Sequence, residues 1–305
     1  MSNKSLERMI FKTVDIPALP SVVAKSLSLL SKNDVSIQEL EEAVAADQAF
    51  TARLLRVANS PFYGMSRGVD TISGAIKLVG FSAVKSIILS VSFKDLHRKQ
   101  NEIDQMLWGH SIAVAGASVV IAQHKKLHLN DELFVAGLIH DIGKTIINHS
   151  DAGVYKEVLT LIKRDGMTFP QAEKEILGFD HCNVGGYIAR KWKLPKILED
   201  VIESHHLESE HWEQQIKKLN QTASTHPEQD VNNIKDPQTR LVCDIIKAAD
   251  AICWEMGIGV EKPIDFKIQI SDFLQLEPEE MAMLKKNIIS EYEKQKTLFN
   301  QDSMI

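Results

Sequence analysis

AGLIHDIGK, at residues 136–144, is the stretch on which the reading of this chain turns. An apolar helical run leads straight into His140 and Asp141. An imidazole beside a carboxylate suits borderline and hard divalent metals such as Fe, Mn, Zn, Ni or Co. Gly143 leaves the backbone near the pair uncrowded. Lys144 lies one helical turn beyond His140 and three residues past Asp141, where its ammonium can reach an anion held by a metal. Each feature also has a plainer reading: a core His-Asp pair with satisfied hydrogen bonds, and a solvated lysine at a helix end.

Working outward, His110 sits in the otherwise apolar LWGHSI (107–112), and His181 opens a helix in FDHCNVGG (179–186). His205 and His206 close another in VIESHH (201–206), and Asp250 interrupts the apolar IIKAADAI (245–252). Singly, a helical histidine is more often a core or surface residue than a ligand. Asp250 can hydrogen-bond a neighbouring helix, and a His-His pair can complement a helix C-terminus. Together, five of the 11 histidines and two isolated aspartates fall at the ends or inner faces of separate helices. Adjacent side chains on a regular helix point about 100° apart, so at most one of His205 and His206 is expected to share a direction with a given metal unless the helix end frays. By the same divergence Cys182, beside His181, is expected in the core. Trp108 is expected to pack, and His211 and His226 to be solvated.

The rest of the chain supplies a frame of helices. SIQE (36–39) has the form of a capping box, with a hydroxyl for an orphan N–H and Glu three residues later. Asp47 can cap a second helix through Phe50, Leu54, Leu55 and Val57, stopping at Asn59-Ser60-Pro61, because proline disfavours helix at the residue before it. FYG (62–64) reads as a loop. Short helices at 72–79 and 83–93 alternate with glycine breakers, and a polar stretch at 96–104 marks a soft boundary. Longer helices are expected at roughly 104–125, 131–149, 151–165, 168–177, 182–192, 195–206 and 238–256, with a last one from Pro278 to about 299. Residues 208–239 are polar with little periodicity and are expected to contain a flexible excursion. FKIQI (266–270) alternates like a strand but has no evident partner. With no repeat and no βαβ rhythm, the fold class is all-α, in two parts over 1–100 and 101–300.

The order His110, His140-Asp141, Asp250 resembles the HD superfamily of metal-dependent phosphohydrolases, whose signature is a His, a His-Asp pair and a distal Asp. The fuller order, with Lys144, then His181 four residues before Gly185, then His205-His206, resembles the HD-GYP branch. There the extra histidines hold a second metal and the lysine approaches the substrate phosphate. On the N-terminal side, IPALP (16–20), DQAFTARLLRVANSPFYG (47–64) and ISGAIKLVG (72–80), in that order, resemble the HDOD family. With the HD half these motifs cover about residues 15–260. The resemblance implies a multi-helix HDOD/HD-type helical domain with its metal-binding part inside 101–300. It implies His110, His140, Asp141 and Asp250 as ligands of one metal. For a second it implies His181 with His205 and/or His206, Asp141 being the natural bridge because a carboxylate has two oxygens. Asp141 and Lys144 are then the expected catalytic residues, the lysine as a contact to phosphate. The chain departs from the HD-GYP pattern after His206: LESEHW (207–212) follows, and no Gly-Tyr-Pro comes later. The resemblance therefore does not carry recognition of a cyclic dinucleotide by that loop. Many HDOD proteins lack the ligands and serve as signalling or regulatory output modules, so this chain joins an HDOD framework to a full HD ligand set.

Composition bounds the rest. A chain of 305 residues makes one large domain or two ordinary ones. With 44% hydrophobic and 25% charged residues it can bury a sizeable core, which excludes global disorder. Fifteen Gly and nine Pro exclude collagen-like and low-complexity chains. A net charge of −6 without a basic stripe argues against a nucleic-acid partner. Three cysteines argue against a disulfide framework and suit a reducing compartment. No apolar run approaches the ~20 residues that span a bilayer, and MSNKSLERMIF lacks the apolar core of a secretion signal. A cytoplasmic protein with no membrane partner is expected. Its first functional reading is a signalling or regulatory output protein holding one or two divalent transition-metal ions. Fe or Mn stand ahead of Zn, Ni or Mg, because imidazole and carboxylate dominate. A phosphate-containing or nucleotide ligand and a signalling protein partner go with it. The alternative is a metal-dependent phosphohydrolase or (cyclic di)nucleotide phosphodiesterase. In the N-terminal part, Arg53, Arg56 and Asn59 read either as a partner surface or as an internal brace, with Asn59 capping a helix end.

Overall fold

Side chains close the helix starts much as the sequence suggests. Ser36 Oγ accepts from the Glu39 amide at 3.1 Å while the Glu39 carboxylate accepts from the Ser36 amide at 3.0 Å, completing the capping box. Asp47 accepts from the Phe50 amide at 2.9 Å, Asn101 from Asp104 at 2.8 Å and Asp180 from Asn183 at 2.9 Å. Each such bond satisfies a backbone donor that has no partner inside the helix.

The computed structural model describes residues 3–15, 17–19, 21–30, 36–60, 68–96, 101–127, 129–206, 237–258 and 270–300. Within them lie α1 (Asn3–Thr13), α2 (Ser21–Leu30), α3 (Ile37–Ala45), α4 (Gln48–Ala58), α5 (Ile72–Leu96), α6 (Glu102–His124), α7 (Asn130–Ile139), α8 (Ile142–Ser150), α9 (Ala152–Asp165) and α10 (Phe169–Leu177). After these come α11 (His181–Lys191), α12 (Lys196–Ser204), α13 (Pro237–Glu255), α14 (Ile270–Leu274) and α15 (Pro278–Asn300). No strand occurs among the described residues, and the class is all-α. The 62–64 loop, the polar stretch over 208–236, His211, His226 and residues 266–269 of FKIQI lie outside the described residues. Ile270, the last of that run, begins α14 instead of ending a strand.

One difference from the periodicity matters. The helix expected over 131–149 is two helices, because α7 ends at Ile139 and α8 starts at Ile142. Asp141 leaves helical geometry at φ −99° and ψ 16°. The apolar pattern runs unbroken through this point, so periodicity alone cannot register the junction. Gly80 breaks α5 into two helices, as the glycine between the expected helices at 72–79 and 83–93 implies, at φ 88° and ψ 167°, a positive-φ region open to glycine.

α6 is buried on nearly every face from Leu107 to Ala122, and α7, α13 and α15 pack around it. By length and composition alone α6 is apolar enough to cross a membrane, which corrects the expectation that no run approaches bilayer length. However, 78% of its apolar window is buried inside the protein, the expected fate of a helix surrounded by other helices. Trp108 packs edge-on against Phe299 with ring centroids 5.6 Å apart. The buried apolar side chains form one core reaching from Ile10 to Phe299. In the N-terminal part Asn59 is a brace: its amide donates to the Leu55 and Val69 carbonyls at 2.9 and 2.7 Å, and its Oδ1 accepts from the Val69 amide at 2.7 Å.

The contact that most directly positions the site is between α8 and α11. A Cβ added at Gly143 would lie 2.0 Å from the His181 carbonyl oxygen, so only glycine lets the first turn of α8 press on the first residue of α11. Overpacking a close contact costs roughly 1–3 kcal/mol or more. Gly143→Ala is expected to lower the melting temperature by several degrees while leaving the far-UV circular dichroism helical. An unchanged melting temperature would contradict this packing.

Candidate metal centre

Five places in the fold deliver the side chains that the sequence singles out. His110 comes from the middle of α6, His140 and Asp141 from the α7–α8 junction, His181 from the first position of α11, and Asp250 from α13. α12 ends at Ser204, so His205 and His206 sit just past its last regular turn. The interior encloses them: His110, His140, Lys144 and His181 are 0% exposed, Asp141 and His205 2%, and Asp250 6%.

Asp141 stands at the centre, and its two oxygens face different partners. Oδ1 lies 3.3 Å from His181 Nε2 and 3.2 Å from His205 Nε2. Oδ2 lies 3.3 Å from His140 Nε2, 3.6 Å from His110 Nε2 and 2.6 Å from Lys144 Nζ. Asp250 Oδ1 adds to the second side, at 2.9 Å from His110 Nε2 and 3.9 Å from His140 Nε2. Two sets of ligand-type atoms result, Asp141 with His110 and His140, and Asp141 with His181, His205 and His206, each within 4.8 Å. Both members of the His-His pair join the second set, the alternative that a frayed helix end leaves open. Their rings lie 4.3 Å apart, and at 4.9 Å the His206 ring also meets His181. Beyond the end of α12 the 100° divergence of a regular helix no longer applies. Cys182 is buried with its sulfur 4.0 Å from His205 Nδ1, on the side of that ring away from Asp141, as befits a core residue.

The outer nitrogens of the rings are also engaged. His140 Nδ1 lies 2.7 Å from the Gly137 carbonyl, His205 Nδ1 3.2 and 3.1 Å from those of Val201 and Ile202, and His110 Nδ1 3.3 Å from that of Ile258. A carbonyl only accepts, so these Nδ1 atoms carry protons, which leaves Nε2 as the nitrogen that faces the carboxylates. His181 Nδ1 lies 2.6 Å from Glu173 Oε2. The Nε2 atoms of His140, His181 and His206 are buried without a hydrogen-bond partner. Inward lone pairs, outer N–H groups held by carbonyls or a carboxylate, and a central carboxylate are what a divalent metal requires, so the residues present fit one.

Electrostatics point the same way. Burial pushes the Asp141 carboxyl up, but the charges of His140 and Lys144, with a hydrogen bond from His205, hold it well below the ordinary carboxylate range. Burial lowers Lys144, yet Asp141, Asp250 and Glu173 raise it above its usual value, so it stays an ammonium. Burial drives His181 and His206 well below the ordinary imidazole range, which keeps their rings neutral. Lys144 is therefore not a solvated lysine at a helix end. Its Nζ lies 4.2 Å from the Phe169 ring centroid and 5.6 Å from that of Trp254. Three residues of this neighbourhood escape sequence reading. Trp254 follows Asp250 by one turn and donates to His110 Nε2 at 3.4 Å, a spacing that could have flagged it. Phe169 and Glu173, both on α10, carry no local signal, since their relation to the site is set by how α10 packs.

Comparison with known proteins agrees with this geometry at the level of family and fold. A family model for the HDOD domain matches residues 16–208. An uncharacterised protein of Treponema pallidum (strain Nichols) is 24% identical over 197 residues, which are 63% of this chain and 38% of the Treponema protein. The chain thus corresponds to well under two thirds of that relative's length. An HDOD domain protein of unknown function from Geobacter sulfurreducens has a TM-score of 0.71 at 26% identity, covering 97% of this chain and 98% of its own. A candidate phosphohydrolase from Shewanella amazonensis SB2B shares the fold, with a TM-score of 0.67 at 20% identity over 97% of both chains. With the three N-terminal motifs, the helical architecture and a family match over more than half its length, this chain belongs to the HDOD domain family.

Proposed function

We propose that this HDOD protein is a signalling or regulatory module that holds one or two divalent transition-metal ions. The metal-binding part lies within 101–300, and the helices of 1–100 offer a surface to a signalling protein partner. One observation carries the metal reading: the two oxygens of buried Asp141 are divided between two sets of histidine Nε2 atoms, three of which lack a hydrogen-bond partner. His110, His140, Asp141 and Asp250 would hold one ion, and Asp141, His181, His205 and His206 the other. Fe or Mn fit ahead of Zn, Ni or Mg, since the donors are imidazole and carboxylate. The Cys182 thiol, pushed well up by burial, does not compete. When bound, such ions supply Lewis-acid polarisation of phosphate and activation of water.

A second reading, a metal-dependent phosphohydrolase including (cyclic di)nucleotide phosphodiesterases, is favoured by Lys144. Its ammonium is held inside the protein beside Asp141, where it can contact a phosphate that enters. Against turnover stands the burial of most of the ligand set: among its members His206 is part-exposed and the others are buried. A phosphate-containing or nucleotide ligand is compatible with both readings.

Metal analysis of protein purified without chelator tests the proposal. Asp141→Ala is expected to abolish binding at both positions, and His181→Ala to remove one ion and leave the other. Protein that contains no metal and takes up neither Fe nor Mn would leave an interaction module without a metal.

Lys144→Ala is expected to keep the metal content and weaken binding of inorganic phosphate, measured by calorimetry on the metal-loaded protein. Loss of metal in this variant would make Lys144 a support of the ligand set rather than a phosphate contact. Turnover of nucleotides and cyclic dinucleotides with added Mn or Fe separates the two readings. Product formed by the wild type and not by Asp141→Ala selects the phosphohydrolase, and full metal loading without product selects the signalling module.

A further inference from the structure

Three of the four rings that face Asp141 are oriented by backbone carbonyls, which no substitution removes. The outer N–H of His110 points at the Ile258 carbonyl, that of His140 at Gly137, and that of His205 at Val201 and Ile202. His181 differs. Its Nδ1 lies 2.6 Å from Glu173 Oε2, and the same oxygen accepts the His181 backbone N–H at 2.8 Å. Glu173 is 0% exposed, on the second turn of α10, eight residues before His181. A carboxylic group shut away from water costs several kcal/mol unless it is hydrogen-bonded, and these two bonds are the ones it makes to the ring and backbone of one residue.

We propose that Glu173 is the positioning residue of the His181 side of the centre: it places the ring proton on Nδ1 and aims the Nε2 lone pair at Asp141 Oδ1. The two bonds to one oxygen fix both the start of α11 and the rotation of the ring, so Nε2 is held 3.3 Å from Asp141 Oδ1. Oε2 accepts the ring N–H in the carboxylate, and also in an acid that carries its proton on Oε1. This bond also makes the two halves of the centre unequal. The His110–His140 half is set by main chain, whereas the His181 half depends on one side chain from α10. Carboxylates that hold the outer N–H of a ligating imidazole change metal affinity by about 10- to 100-fold when replaced.

This inference rests on the metal reading above for its consequence, but not for its geometry, and the experiment separates the two. Long-range ¹⁵N–¹H spectra of the histidine rings in metal-free wild-type protein are expected to show His181 protonated at Nδ1 with a bare Nε2. A ring protonated at Nε2 would overturn the proposal without any variant. Glu173→Gln is expected to shift His181 toward a mixture of tautomers and leave the His140 signals in place. In titrations with Mn²⁺, read by the electron paramagnetic resonance of the free ion, the wild type is expected to take two ions. Glu173→Gln should weaken one of them about 10- to 100-fold and spare the other. Equal affinities for both ions in the two proteins would overturn the proposal. Should the wild type bind fewer than two ions, the two-metal reading fails on its own, and the His181 ring spectrum alone decides for or against Glu173.

Discussion

A buried carboxylate has to be answered by positive charge or by hydrogen-bond donors, and Asp141 imposes that demand on everything around it. In the low-dielectric interior an unpaired charge is costly, so a carboxylate 2% exposed persists only with close partners. Lys144 is its one permanent cation among the described residues, at 2.6 Å. Asp250 brings a second carboxylate to the same cluster, so the acidic groups outnumber the ammonium. The balance is made up either by protonating imidazole or by a bound cation. His140 shows the pull: burial lowers its basicity, yet Asp141 and Asp250 raise it above the ordinary imidazole value. A divalent ion would relieve the same deficit and use the partnerless Nε2 atoms as well.

The helices are arranged to meet that demand. The α7–α8 break lets two consecutive residues, His140 and Asp141, turn their polar atoms to within 3.3 Å of each other. Gly143 brings the start of α11 against α8 and so carries His181 to Asp141. The end of α12 frees His205 and His206 from the spacing of a regular helix. Each polar side chain thus comes from a junction or terminus, or from a turn of α6 or α13 facing inward. Apolar packing supplies the rigidity: α6 lies among α7, α13 and α15, so His110 and Asp250 are held between helices that cannot easily shift. A site whose parts sit on packed helices and not on free loops is preorganised, whether its task is to sense a ligand or to act on one.

The N-terminal helices belong to the same core, which runs without interruption from Ile10. Bonds between distant segments tie the ends of this part to the second half. Trp192 Nε1 donates to the Pro17 carbonyl at 3.2 Å, and the Asp15 amide donates to Ser150 Oγ at 2.9 Å. These bonds and the shared apolar core join the segment after α1 to the end of α8 and to the residue that caps α11.

The sequence by itself determined the helical class, most helix starts and the cast of the site. Capping residues act on the backbone a few positions away, and apolar periodicity reports a face, so both are legible locally. His110, His140, Asp141, His181, His205, His206 and Asp250 were legible because their types and order match a known ligand pattern. Only the tertiary structure decided how they meet. The break at His140-Asp141 is invisible in the apolar pattern, and the convergence of both His205 and His206 contradicts regular helical spacing. The burial of Lys144 under Phe169 and Trp254, and the Glu173 bond to His181, arise between helices distant in the chain. Side-chain chemistry is written residue by residue, but the distance between two groups depends on how helices cross, and that is settled by the packing of the whole core.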